Sequence, residues 1–166
     1  MREDEYLTII EKKTAALLSC CLRTSAILAG LPDDQAEVLA RFGLYFGIAF
    51  QIIDDCLDFV GKENEFGKTL GADCAAGVLT LPLIRLISLA DEKRKNEIFQ
   101  MVESGFAEKH FTTLIRYLDE YDALNYAFRR AREFTDRARL ELSVLNDHPA
   151  KRSLNSLLDY ILERNR

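Results

Sequence analysis

An all-α helical bundle is the fold class this sequence predicts, and three observations carry that reading. Only 3 Pro and 8 Gly interrupt 166 residues. Long leucine- and alanine-rich runs fill the space between them. Apolar residues recur at three- and four-residue intervals, the period of one buried helix face. A hydrophobic content of 48% beside 30% charged residues is that of a globular chain. The length suits a single helical domain, residues 1–166, with a core of its own.

Taken in order, residues 4–28 read as the first long helix, with Leu7, Ile10, Thr14, Leu17, Cys21 and Leu28 on its buried face. Gly30 is its expected stop, and Asp33 or Asp34 caps the next helix. Those two acids also look like a metal pair, but acids favour helix starts for the dipole alone. Residues 35–60 form the central helix, apolar almost all round over 39–53, as in a helix enclosed by others. Residues 61–77 are the one long irregular stretch, with Gly61, Gly67, Gly71 and Gly77. A helix follows from about residue 78, with Pro82 in its first turn, where a missing N–H costs nothing. Residues 91–102, 110–121, 122–145 and 150–164 complete the set, with a break at Ser104-Gly105.

Charge and composition exclude several classes of function. A net charge of −5 argues against nucleic acid as a partner. Arg129, Arg130, Arg132, Arg137 and Arg139 are interleaved with Glu133, Asp136 and Glu141, which describes a solvated helix face. Ala127, Ala131, Phe134, Ala138 and Leu142 give that helix its buried stripe. His110 and His148 stand near helix starts as capping or surface residues. Cys20, Cys21, Cys56 and Cys74 form no C-x-x-C pair, so reduced thiols and a cytoplasmic location are expected. The first five residues lack the apolar core of a signal peptide, and no transmembrane segment is expected.

The stretch that carries chemistry runs from Gly47 to Asp58. Three carboxylates, Asp54, Asp55 and Asp58, close an otherwise oily helix. Gly43, Gly47, Gln51, Asp54 and Asp58 fall on one stripe, two glycines admitting a neighbouring backbone and three polar groups gathering below them. Buried unpaired carboxylates cost several kcal/mol each, on the order of the desolvation penalty, so these need a cation or water. Oxygen ligands suit Mg²⁺, with phosphate completing its shell. A solvated helix end with three acids fits the same spacing. Gly67-Lys68, in the loop that follows, suits gripping a diphosphate, and a solvated linker fits there as well.

Gly47-x-x-Phe50-Gln51-x-x-Asp54-Asp55-x-x-Asp58 resembles the second aspartate-rich motif of the trans-type polyprenyl diphosphate synthases. Tyr6-Leu7-x-x-Ile10-x-x-Lys13-Thr14-Ala15 is similar to that family's Lys-Thr helix. Gly67-Lys68-x-x-Gly71-x-Asp73 is similar to its basic loop, and Thr80-Leu81-Pro82-Leu83-Ile84 to the helix after it. The end of the chain, from Asp159 to Arg164, resembles the family's C-terminus. The resemblance covers nearly the whole chain and corresponds to the C-terminal half of the family.

What the resemblance implies is a helical bundle of the isoprenoid synthase type, and a prenyltransferase of isoprenoid biosynthesis. Such enzymes join an allylic prenyl diphosphate to isopentenyl diphosphate with Mg²⁺ as cofactor. Asp54 would bind the metal directly, and Asp55 and Asp58 would bind it or hold its waters. Gln51 and Thr14 would turn oxygen dipoles toward the allylic cation, and Lys13 and Lys68 would hold the allylic diphosphate. A homo-oligomer, commonly a dimer, is implied too.

Two departures stand out. The family carries an earlier Asp-Asp-x-x-Asp cluster, and this sequence has no second such motif. Val78 follows Gly77 where the family commonly has lysine. The expectation is therefore that this chain supplies one half of a metal–diphosphate site and is inactive in chain elongation by itself. The alternative is a non-catalytic subunit of a heteromeric prenyl synthase.

Overall fold

The computed structural model describes residues 1–60, 70–103 and 108–164. Every element among the described residues is helical. Helix α1 (Glu3–Ile10) runs through a π-helical turn, Glu11–Ala15, into α2 (Ala16–Leu28). The central α3 (Asp33–Val60) is followed by the four-residue α4 (Ala72–Ala75), then α5 (Leu81–Leu89) and α6 (Glu92–Glu103). Helices α7 (Glu108–Glu120), α8 (Ala123–Ser143) and α9 (Pro149–Glu163) complete the bundle.

Helix α3 is the axis, packed between α2 on one side and α8 on the other. Against α2 it presents glycine. A Cβ on Gly47 would lie 2.5 Å from Ala15 Cα, and one on Gly43 would lie 2.8 Å from the Leu18 carbonyl oxygen. Both positions thus admit a helix backbone that no other residue would, as the two glycines in the sequence suggest. Against α8 the small side chains are on the opposite partner: Ala123, Ala127, Ala131 and Ala138 are fully buried and let α8 lie close. Ile48, Ile52, Ile53 and Cys56 of α3 pack there with Phe134 and with Ile161 of α9. A second cluster gathers Phe59, Leu83, Leu86, Ile98, Leu114 and Leu118 at the far end. By length and composition α3 could cross a membrane, but 61% of its most apolar window is buried inside the bundle. Enclosure by neighbouring helices accounts for that apolarity.

Several sequence expectations hold in detail. Gly30 (φ 73) ends α2, with Leu31 N–H donating to Ala26 O and Gly30 N–H to Ile27 O, the paired bonds of a Schellman stop. Asp33 and Asp34 do not cap α3: both lie inside its first turn, one and two residues past the cap position at Pro32, where acids still meet the helix dipole. His148 caps α9, its Nδ1 accepting from Ala150 N–H at 3.2 Å. His110 instead lies inside the first turn of α7 and is half-buried, neither cap nor open surface. The Ser104-Gly105 break, Lys68, Gly61 and Gly67 lie outside the described residues.

The first helix departs from expectation. Leu17 and Leu28, read as buried, are 68% and 83% exposed, and Cys21 is exposed as well. The buried face instead runs Tyr6, Ile10, Ala15 and Ala26. The π turn is the reason: it inserts one residue into the helix, so the inward face steps by five from Ile10 to Ala15 and every later position is displaced. The stretch read as irregular also contains α4, which follows Gly71 (φ 76) at the cap position.

Candidate metal and diphosphate site

The π turn places Thr14 at the edge of the α2–α3 contact. Its hydroxyl donates to Gln51 Oε1 at 2.7 Å. The other end of that amide, Gln51 Nε2, donates to Asp55 Oδ1 at 2.8 Å, one helical turn further along α3. Asp55 Oδ2 accepts from the Tyr6 hydroxyl at 2.7 Å. A continuous chain of hydrogen bonds, Thr14–Gln51–Asp55–Tyr6, therefore stitches α1 and the π turn to α3. Gln51 and Asp55 are each only 8% exposed, so the chain is a buried network with its donors and acceptors matched.

The three aspartates thus take three different roles in the fold. Asp55, rather than Asp54, continues the Gly43–Gly47–Gln51 line toward α1 and α2. Burial pushes its carboxyl up to about 6, against the hydrogen bonds of Tyr6 and Gln51, with Asp73 and Asp54 adding repulsion. Asp58 faces the start of α4: its two oxygens accept from Ala72 N–H (3.1 Å) and Asp73 N–H (3.2 Å). Gly71 N–H also reaches the Asp58 carbonyl at 3.0 Å. Gly71 has no side chain with which to cap α4, and the Asp58 carboxylate, 13 residues earlier, performs that task. Asp54 is the half-exposed member, its side chain 34% accessible, with Arg164 of the C-terminal segment 3.9 Å away. Arg164 also lies over the Phe50 ring, 5.4 Å from its centre.

Lys13 is exposed in the π turn, one residue before Thr14. Val78 is 48% exposed beyond the end of α4. The structure therefore brings Thr14, Gln51 and Asp55 into one network, with Asp54 and Asp58 on neighbouring positions of α3. The diphosphate grip expected of Lys68 falls on a residue outside the description. Two participants escaped the sequence reading as site residues: Tyr6, whose partner is 49 residues away, and Arg164. Tyr6 carried only the signal of lying in the same motif as Lys13-Thr14.

Among the described residues no three acidic, histidine or cysteine side chains converge into a closed metal cage. The donor set nevertheless fits Mg²⁺. That ion takes oxygen ligands and keeps several waters, held by one or two carboxylates and completed by substrate phosphates. Asp54, with its side chain 34% accessible, offers one oxygen donor group of the kind such an ion takes.

Comparisons with known proteins identify the family and the fold. The sequence pattern described as polyprenyl synthetase matches residues 1–118. The chain is 35% identical over 162 residues to a short chain isoprenyl diphosphate synthase of Methanothermobacter thermautotrophicus, covering 98% of this chain and 50% of that protein. A decaprenyl diphosphate synthase from Rhodobacter capsulatus superposes with a TM-score of 0.91 at 38% identity, over 100% of this chain and 51% of that one. A polyprenyl synthase from Caulobacter crescentus, complexed with calcium and isoprenyl diphosphate, gives 0.93 at 28% identity, over 100% and 51%. This chain spans about half the length of the relatives it matches. Pattern, sequence and fold agree across nearly all of its residues, and the chain belongs to the polyprenyl synthetase family.

Proposed function

We propose that this chain supplies the second aspartate-rich half of a prenyl-transferring site, which condenses an allylic prenyl diphosphate with isopentenyl diphosphate. The observation that carries the reading is the outward Asp54 beside a buried, fully paired Asp55 and a capping Asp58. Asp54 would hold Mg²⁺, and Asp55 and Asp58 would hold the end of α3 in place around it. Mg²⁺ held there with diphosphate would supply positive charge against the leaving group's growing negative charge. Lys13 and Lys68 add point charges to the same diphosphate. The Thr14 and Gln51 oxygens, held together at 2.7 Å, would favour positive charge at the allylic carbon. The Phe50 ring closes the same end of α3 with Arg164.

The sequence holds a single Asp-Asp-x-x-Asp, so the 166-residue chain by itself carries no chain elongation. A radiolabelled prenyl-transfer assay with Mg²⁺ tests this, and robust product from that chain refutes it. One observation favours a second reading, a non-catalytic subunit of a heteromeric synthase: Val78 stands where the family commonly places a diphosphate lysine. Retention of Asp54, Asp55, Asp58, Lys13 and Lys68 together speaks for the first reading.

The chain is also proposed to self-associate. Leu17, Ile27 and Leu28 of α2 are 68%, 53% and 83% exposed, and apolar surface of this kind favours association. A monodisperse monomer in sedimentation velocity would refute it. Four free cysteines support a cytoplasmic, reducing location.

A further inference from the structure

We propose that Tyr6 is a positioning residue of the metal–diphosphate site: its hydroxyl fixes the Asp55 carboxylate inward so that Asp54 presents its own outward. The inference rests on the metal reading above. Tyr6 is 3% exposed and donates to Asp55 Oδ2 at 2.7 Å. Gln51 Nε2 takes the other oxygen at 2.8 Å, so both oxygens of Asp55 are engaged inside the fold. Tyr6 and Thr14 lie before and within the π turn, and both legs reach the same Gln51–Asp55 pair. Consecutive residues on a helix are about 100° apart. Locking Asp55 on the inner side therefore sets the direction in which Asp54 points. A phenylalanine would fill the same apolar space among Ile10, Cys56 and Leu81. The hydroxyl adds only the bond to Asp55.

The test compares the metal affinity of the 166-residue protein and its variants, with Mn²⁺ and inorganic pyrophosphate as the probe. Free Mn²⁺ is read by electron paramagnetic resonance. Tyr6→Phe is expected to weaken binding up to about 10-fold, the lower end of what losing a direct outer contact to a ligand costs, because Tyr6 acts on Asp54 only through Asp55. Asp55→Asn, which turns one of the two accepting oxygens into an N–H donor, shows a similar loss, and Tyr6→Phe adds nothing further in that background. Tyr126→Phe is the control. It removes an equivalent phenol–carboxylate bond, to Glu3 at 2.6 Å, on a residue outside the site, and leaves affinity unchanged. Wild-type affinity in Tyr6→Phe or in Asp55→Asn, while Asp54→Asn abolishes binding, overturns the role of Tyr6 and leaves the metal reading standing. Identical behaviour of the wild type and Asp54→Asn overturns the metal reading itself and takes this proposal with it. Should Tyr6→Phe fail to fold by circular dichroism, the Asp55→Asn comparison decides.

Discussion

Replacing Gly47 with alanine tests the contact on which both the fold and the site depend. The new Cβ would lie 2.5 Å from Ala15 Cα and 2.8 Å from Ala15 Cβ. Favourable carbon contacts lie at about 3.5–4.0 Å, so the two helices overlap by about 1 Å. Neither Ala15 atom belongs to a side chain that can rotate away, and α2 must retreat from α3. Overpacking of this kind costs about 1–3 kcal/mol. A retreat of that size also breaks the adjacent Thr14–Gln51 bond, now 2.7 Å, at roughly 1 kcal/mol. Against these stands a helix-propensity gain of about 1 kcal/mol for alanine over glycine. The balance is a loss of about 2 kcal/mol, read as a lower urea midpoint at an unchanged denaturant slope. Gly77→Ala is the matched comparison. Its φ is +72 with nothing within 4 Å of the added carbon, so it costs only the left-handed strain of roughly 1–2 kcal/mol. Gly47→Ala as stable as the parent, or more so, would refute the close-packing argument.

Other substitutions separate the roles of the acids. Burial holds the Asp55 carboxyl at about 6 in the folded chain, against an ordinary 3.8. The folded state therefore keeps a proton that the unfolded state has released between those values. Metal-free protein should lose stability as pH rises from about 4 to about 6, by up to about 3 kcal/mol. Chemical denaturation across that window measures the slope, and Asp55→Asn should flatten it. Asp58→Ala removes the cap of α4 and should cost about 1 kcal/mol, while abolishing hydrogen-exchange protection at the Ala72 and Asp73 amides. Protection that survives would show that α4 holds itself. Tyr126→Phe removes the phenol bond to Glu3 and leaves that carboxylate with Arg130, through Nε at 2.8 Å, and should lower the melting temperature modestly.

The sequence displays the location of the candidate site because three carboxylates in an apolar run are costly without partners. It displays the helices because their faces repeat at 3.6 residues, and α8 shows this best: every expected member of its stripe is buried. The division of labour among the aspartates was not legible. Asp54, Asp55 and Asp58 share neighbouring positions of one helix, and what sorts them lies far away in sequence. Tyr6 draws Asp55 inward from 49 residues upstream, and the amides of Ala72 and Asp73 claim Asp58 from 14 and 15 residues downstream.

The misread face of the first helix and the unrecognised network have one cause. In an uninterrupted α-helix, the residue four after Ile10 would continue the buried face, bringing Thr14 against Gly47 and its polar hydroxyl into the tightest helix contact. The extra residue of the π turn gives that place to Ala15, whose small side chain fits where a Cβ on Gly47 would not. Thr14 moves to the half-buried rim, where its hydroxyl reaches Gln51 Oε1. Glu11-Lys12-Lys13-Thr14-Ala15 has the composition of an ordinary helical turn, so no residue type announces the insertion. Its trace in the sequence is a five-residue step between Ile10 and Ala15, visible only once Gly47 is known to demand a small partner. Such turns recur at functional sites. Here the geometry supplies a reason: one added residue separates the packing duty of Ala15 from the polar duty of Thr14.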